Sequence, residues 1–160
     1  MSRKTKRANK RVGSTLSRFG KSTGFEPHPQ YEIGKYLREL GDSSLKKGDK
    51  IGVVDMVWLI EDKLSKHKLP VYAFEIETSW RISNYLRADI GKLRLLNCIK
   101  GFIVFPDNAF KTKAKFDEAR QAIERYARTL GAPNIQFLKE EELEAISGHQ
   151  KSKSHHTKHT

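Results

Sequence analysis

Three acidic residues interrupt two apolar runs that otherwise have the composition of β-strands. Asp55 lies within residues 51–60, and Glu75 and Glu77 lie at the end of residues 71–77. A carboxylate among such neighbours is costly unless it is paired or binds a cation. Alternate strand positions place Glu75 and Glu77 on one face, about 7 Å apart along the chain. If the two runs pair as neighbouring strands, the three carboxylates converge on one patch, which is the pattern of a divalent-cation site.

A structural alternative explains the same acids without a metal. Glu75 and Glu77 would then face solvent, or they would pair with Arg81 and Lys92 on the helix that follows. Asp89 lies near the middle of the apolar face of that helix, so we expect it to form a fixed ion pair with Arg81 or Lys92.

The elements that must position these acids follow from the periodicity of the apolar residues and from the turn residues between them. Strands that follow a crossover helix and are apolar throughout indicate a sheet covered on both faces. We therefore predict an α/β fold with a mixed central sheet flanked by helices. The predicted elements are a helix at 29–40, a strand at 51–60, a charged hairpin loop at 61–69, a strand at 71–77, a helix at 81–97, a strand at 99–105, a helix at 109–130, a strand at 134–138 and a helix at 139–147.

The basic residues are concentrated in the two ends of the chain. The chain has 160 residues and a formal net charge of +12, and residues 1–28 contain eight Lys and Arg against one Glu. We expect a disordered basic arm at 1–27, one α/β domain at 28–147 and a disordered His- and Lys-rich tail at 148–160. A basic arm of this kind favours contact with nucleic acid, DNA or RNA, although a tail that only improves solubility has the same composition. The candidate phosphate-binding residues are Arg3, Lys4, Lys6, Arg7, Lys10, Arg11, Lys66 and Lys68.

Two further features bear on where the protein works. No apolar run approaches the roughly 20 residues of a membrane helix, and the N-terminus lacks the apolar region of a signal peptide. Cys98 is the single cysteine, so we expect a buried thiol in a reducing compartment. These features favour a cytoplasmic protein, associated with the nucleoid if the host is bacterial or archaeal.

The acids and their order along the chain resemble the PD-(D/E)XK nuclease superfamily over residues 29–105. In that superfamily an acid on the first helix precedes an Asp on one strand and an Asp/Glu-x-Lys motif on the neighbouring strand. Glu32 matches the helix acid, Asp55 the strand Asp, and Glu75-Ile76-Glu77 the third motif. Val54 stands where the family has Pro, and Glu77 stands where it has Lys.

The resemblance implies a restriction-endonuclease-like core and a Mg²⁺-dependent deoxyribonuclease, with Mn²⁺ as a possible substitute. Asp55 and Glu75 would hold the metal with the carbonyl of Ile76, and Glu77 would orient the attacking water or help hold a second ion. Glu32 would act through a water molecule. Arg81 or Lys92 would replace the missing lysine, unless both are solvated helix residues.

The family resemblance further implies a homodimer, because one compact site cuts one strand, and a structure-directed or nonspecific enzyme of the resolvase or restriction type. Two other functions remain open. The chain could be a nucleic-acid-binding module that has lost catalytic activity, with Glu77 in place of the family's lysine as the sign of that loss. It could also be a basic-tailed subunit of a nucleoprotein assembly.

Overall fold

The computed structural model describes residues 3–47, 51–78, 84–143 and 145. The described chain alternates helices and strands in the α/β manner that the sequence predicts. In chain order the elements are α1 (Arg3–Ser22), β1 (Glu26–Glu32), α2 (Ile33–Glu39), β2 (Val53–Glu61), β3 (Lys68–Ile76), α3 (Asn84–Leu95), β4 (Lys100–Phe105), a 3-10 turn (Asp107–Ala109), α4 (Lys113–Thr129) and β5 (Ile135–Lys139).

The five strands form one mixed sheet in the order β1-β2-β3-β4-β5. β1 and β3 both run antiparallel to β2, whereas β4 runs parallel to β3 and β5 runs parallel to β4. The two parallel connections pass through α3 and α4, because parallel neighbours need a crossover rather than a hairpin. The mixed sheet of the predicted fold class is therefore confirmed.

Helices cover both faces of this sheet. On one face α2, α3 and α4 bury a large apolar core, in which Ile90 of α3 and Ile123 of α4 are fully buried with Ile103 of β4. On the other face α1 and the helical turn at 140–143 pack on a smaller, aromatic cluster that includes Trp58 and Phe74. Cys98 lies in the first core, where burial raises the pKa of its thiol to about 12.

The basic N-terminal segment was predicted to be disordered, and for Arg3–Ser22 that prediction is wrong. Val12, Leu16 and Phe19 lie at i, i+4 and i+7, the spacing of one helix face, and all three are buried against the sheet. The other faces of the helix carry Lys, Arg and Ser. The segment is therefore polar on average, although one of its faces is apolar. The domain consequently begins within α1, well before residue 28.

Two local features fix α1 in place. The helix ends in a Schellman turn, in which Gly24 has a φ of 86° and the Phe25 N–H donates to the Gly20 carbonyl at 2.9 Å. A Cβ at Gly20 would lie 2.8 Å from the Trp58 ring, so glycine is needed for this close approach of helix and sheet.

The predicted helix at 29–40 begins later than expected. Glu26–Glu32 is strand β1, and α2 covers only Ile33–Glu39. Pro27 and Pro29 favour the edge strand because proline cannot donate to an inner ladder. The start of the predicted helix at 109–130 is also wrong, because a 3-10 turn occupies Asp107–Ala109 and Thr112 caps α4 by accepting from the Lys115 N–H at 3.3 Å.

Within the part of the chain that the structure describes, no helix is both long and apolar enough to cross a membrane. The predicted tail at 148–160 lies outside the described residues.

Candidate active site

The pairing of β2 with β3 brings two of the predicted acids together. The register places Met56 opposite Phe74, so Asp55 and Glu75 occupy the next positions on the two strands. There the Asp55 carboxylate takes part in the strand pairing, because its Oδ2 accepts a hydrogen bond from the Ile76 N–H at 2.9 Å. Asp55 is thus held by its neighbouring strand.

A second neighbour holds the other oxygen of Asp55. The Gln30 side chain donates from Nε2 to Asp55 Oδ1 at 3.1 Å. Gln30 has a φ of 52°, in the left-handed region that non-glycine residues adopt at a cost. Strained residues of this kind concentrate at functional sites, where the surrounding structure enforces them.

Glu75 is buried, with 3% of its surface exposed, and its counter-charge comes from α3. The Lys92 ammonium lies 2.6 Å from Glu75 Oε1 and 2.9 Å from Asp89 Oδ1. It also donates to the Val53 carbonyl at 3.1 Å. The ammonium therefore lies among two carboxylate oxygens and one backbone carbonyl. The ion pair predicted for Asp89 is therefore confirmed, with Lys92 as the partner.

The carboxylates of this group outnumber its positive charges. Three carboxylates, those of Asp55, Glu75 and Asp89, act on one another around the single ammonium of Lys92. Burial and, after it, the charge of Asp89 raise the pKa of Glu75, Lys92 opposes them, and the resulting pKa is about 9. Burial alone would lower the pKa of Lys92, but its contacts with Glu75 and Asp89 outweigh burial and raise it. An added cation would relieve the excess negative charge.

Glu77 follows the last residue of β3 and makes backbone contacts there. Its Oε1 accepts from the Thr78 N–H at 2.7 Å, and its own N–H donates to the Val104 carbonyl at 3.0 Å, which extends the β3–β4 pairing beyond Ile76. Across residues 3–47, 51–78, 84–143 and 145, no three acidic, His or Cys side chains are grouped so that they could hold one metal ion. The convergence of Asp55, Glu75 and Glu77 that the sequence suggests is thus not formed.

Of the remaining predicted catalytic residues, Glu32 lies in a different place. Glu32 was predicted on a helix, but it ends β1 and precedes α2, and its side chain makes no capping hydrogen bond. It lines a cleft together with Lys66 and Lys68, whereas Asp55 lines a different cleft beneath α1. Arg81 lies outside the described residues.

Most of the predicted phosphate-binding residues lie on α1, namely Arg3, Lys4, Lys6, Arg7, Lys10 and Arg11. Arg11 forms a two-pronged ion pair with Glu140 at 2.5 and 2.6 Å, and Glu140 is only 1% exposed. Lys66 and Lys68 form exposed ion pairs with Glu61 and Glu26. Lys10 differs from these three, because it lines the cleft that Asp55 also lines.

Two residues of the site were not predicted, Gln30 and Asn9. Gln30 stands between Pro29 and Tyr31, and no pattern in the sequence marks its positive φ. Asn9 lines the same cleft as Asp55, and its helix position becomes visible only once the Val12, Leu16 and Phe19 stripe is recognised.

Comparison with known proteins gives no match to a family model, to a curated protein or to a solved structure.

Proposed function

We propose that the chain is a metal-dependent nuclease of the PD-(D/E)XK type, which hydrolyses phosphodiester bonds in DNA. The observation that carries the proposal is the group formed by Asp55, Glu75, Asp89 and Lys92 across β2, β3 and α3. The resemblance requires the Asp and the Glu on neighbouring strands, and β2 and β3 are neighbours. It also requires a cation close to them, and Lys92 supplies one from the next helix.

The donor set fits Mg²⁺. This ion is usually held by one or two carboxylates and completes its shell with water and substrate oxygens, so a third protein acid is not needed. Asp55 and Glu75 are the two carboxylates that would hold it, and the excess negative charge around Glu75 gives the ion an electrostatic reason to bind. When bound, the metal would polarise the phosphate and lower the pKa of a coordinated water.

Lys92 is the proposed replacement for the lysine that Glu77 displaces. Its ammonium is already held within hydrogen-bond distance of Glu75, Asp89 and the Val53 carbonyl. A positive charge fixed in this way stabilises the extra negative charge that develops on the phosphate oxygens during hydrolysis. Glu77, two residues after Glu75, would orient the attacking water, and Lys92 would supply the positive charge.

A cleavage assay tests this function. Labelled single-stranded, duplex, flapped and four-way DNA, with RNA as a control, would be incubated with Mg²⁺, with Mn²⁺ or with EDTA. We expect metal-dependent products, and we expect Asp55→Asn and Glu75→Gln each to reduce the rate by at least about 10³-fold, or about 4 kcal/mol of transition-state stabilisation. Glu141→Gln, an exposed acid in the helical turn at 140–143, serves as the matched control and should cut like the unmodified chain. Products that persist in EDTA or in both site variants would contradict the proposal.

One observation favours a noncatalytic alternative. The ion pair at 2.6 Å gives Glu75 a counter-charge without any metal, as expected for a nucleic-acid-binding module that keeps the fold but not the chemistry. Such a module would bind the same DNA substrates, cut none of them in either metal, and retain its affinity in Asp55→Asn and Glu75→Gln.

A further inference from the structure

The cleft beneath α1 is the feature that the proposed nuclease site leaves unexplained. It has a volume of about 560 Å³, and it separates α1 from the ends of β1, β2 and β3. Asp55 lines its sheet side, and Lys10 and Ser17 are among the residues that line its helix side. One cleft therefore joins a basic helix to a predicted catalytic carboxylate.

The helix side of this cleft offers groups that suit a phosphate backbone. Lys10 is exposed and carries the positive charge. Ser17 also lines the cleft, and its hydroxyl can donate to a phosphate oxygen. The nearby Ser14 hydroxyl already donates to the Lys10 carbonyl at 2.9 Å. An ammonium and a hydroxyl along one helix face are typical contacts to phosphate oxygens.

Asn9 adds an unsatisfied polar atom to the same cleft. Its Oδ1 is buried and has no hydrogen-bond partner among the residues that the structure describes. A buried carbonyl oxygen without a donor costs about 1–3 kcal/mol, so a bound molecule that supplies a donor would recover this free energy. A base N–H of a bound strand that reached Asn9 would remove this cost.

The size of the cleft limits what can enter it. Gly13 leaves the middle of the helix side open, because a Cβ there would meet only the Ile76 Cδ1 at 3.9 Å. Sites of about 300–1,000 Å³ enclose ligands the size of a small molecule. A cleft of this size can take a short stretch of one strand, whereas a duplex with its two backbones is too wide.

The helix that forms this wall is held rigidly. Arg11 is tied to the buried Glu140, and Val12, Leu16 and Phe19 are packed on the sheet. A rigid wall keeps the positive charge of Lys10 at a fixed place relative to Asp55, which a disordered arm could not do.

We infer that the α1 cleft binds a single-stranded segment of the nucleic acid, with Lys10 and Ser17 on its phosphates, and leads that strand to Asp55. The part of this inference that concerns delivery of the strand to Asp55 rests on the proposed nuclease function. The expected substrate is then single-stranded DNA or the single-stranded part of a branched DNA.

Binding measured without metal tests the inference separately from cleavage. Fluorescence anisotropy with a labelled 12-nucleotide DNA strand and with its duplex would be recorded in EDTA over a range of salt concentrations. We expect the single strand to bind more tightly than the duplex. Lys10→Ala should weaken single-strand binding about tenfold and reduce the slope of log K against log salt by about 0.7, the value for one lost phosphate contact on a single strand.

Gly13→Leu and Ser17→Leu each fill the cleft without removing a charge. If one of them does not fold, the other still provides the test. Each should reduce single-strand binding by more than about tenfold. Lys21→Ala is the matched control, since it removes an exposed lysine at the other end of α1, and its affinity should stay within about twofold of that of the unmodified chain. Thermal melts would establish that every variant is folded.

Equal losses in Lys10→Ala and Lys21→Ala, or unchanged binding in both leucine variants, would overturn the inference. Cleft-dependent binding of single strands with no cleavage in either metal would instead overturn the nuclease and leave the cleft as a binding site.

Discussion

Asp55 and Glu75 lie on adjacent strands, but their surroundings differ in access and in charge. Asp55 lines an open cleft and receives two neutral hydrogen-bond donors, the Ile76 N–H and the Gln30 amide. Glu75 is buried beneath α3, where an ammonium provides its counter-charge. Asp55 is therefore accessible from a cleft, whereas Glu75 belongs to a buried electrostatic group. In the proposed nuclease the two carboxylates would differ accordingly, with Asp55 nearer to the DNA strand and Glu75 nearer to the fixed charges of α3.

Removal of the Lys92 ammonium should have the largest effect on stability. Lys92→Met leaves Glu75 and Asp89 without their shared counter-charge, and loss of one partner of a buried pair costs about 3–5 kcal/mol. Urea denaturation at pH 8 measures the change. The double variant Lys92→Met/Asp89→Asn should recover much of the loss, because the charge left without a partner is then removed. If the single and double variants are equally unstable, Lys92 stabilises through its packing and the electrostatic account of this region fails.

The pH dependence of stability should separate the two acids. The folded protein keeps a proton on Glu75 up to about pH 9, whereas the unfolded chain releases it near 4.5. The unfolded state therefore binds fewer protons between these pH values, and the free energy of unfolding should fall as pH rises through this window. Glu75→Gln should remove this component, so that its stability relative to the unmodified chain grows from pH 5 to pH 9.

Asp55→Asn is the control for that titration, and it should keep the downward slope. Denaturation curves at several pH values would decide the matter. Parallel pH profiles for Glu75→Gln and the unmodified chain would show that burial of Glu75 does not control its protonation.

Divalent metal should raise the melting temperature in a way that depends on both Asp55 and Glu75, because both acids would hold the proposed ion. At 100 times its dissociation constant, a ligand stabilises the folded state by about 2.7 kcal/mol, which corresponds to a rise in melting temperature of about 5–10 °C for a chain of this size. We expect such a rise with Mn²⁺ or Mg²⁺, measured by thermal melts against KCl of matched ionic strength. Asp55→Asn and Glu75→Gln should each diminish it. An undiminished rise in the double variant would place the metal elsewhere.

The smallest effect is expected for an exposed ion pair. Lys68 lies 2.6 Å from Glu26, as close as Lys92 lies to Glu75, but both partners are about half exposed. Exposed pairs contribute about 0–1 kcal/mol, so Lys68→Ala should change the free energy of unfolding far less than Lys92→Met. Chemical denaturation of the two variants side by side checks this, and similar losses would mean that burial does not distinguish the two pairs.

The sequence was most informative where apolar residues and charges occur in the same element. The runs around Asp55 and Glu75 predicted two strands, and the place of Asp89 on an apolar helix face predicted an ion pair, which Lys92 provides. Both predictions succeed because the cost of a buried charge restricts what its surroundings can be.

The predictions that failed concern segments in which long-range contacts decide the structure. Glu32 was placed on a helix because Pro29 suits a helix start, but pairing with β2 makes these residues a strand. Lys10 and Arg11 were placed in a disordered arm because their charge dominates the composition. No local pattern shows that Arg11 meets Glu140, a residue 129 positions away, or that Gln30 adopts a positive φ beside Asp55.

The prolines of β1 have a consequence for self-association. β1 is one edge of the sheet, and Pro27 and Pro29 each lack the N–H that an added strand would need. A second chain therefore cannot extend the sheet across this edge with a continuous ladder of hydrogen bonds. If the expected homodimer forms, its interface must use side chains or the opposite edge at β5, and concentrated solutions of the protein are protected from edge-to-edge aggregation at β1.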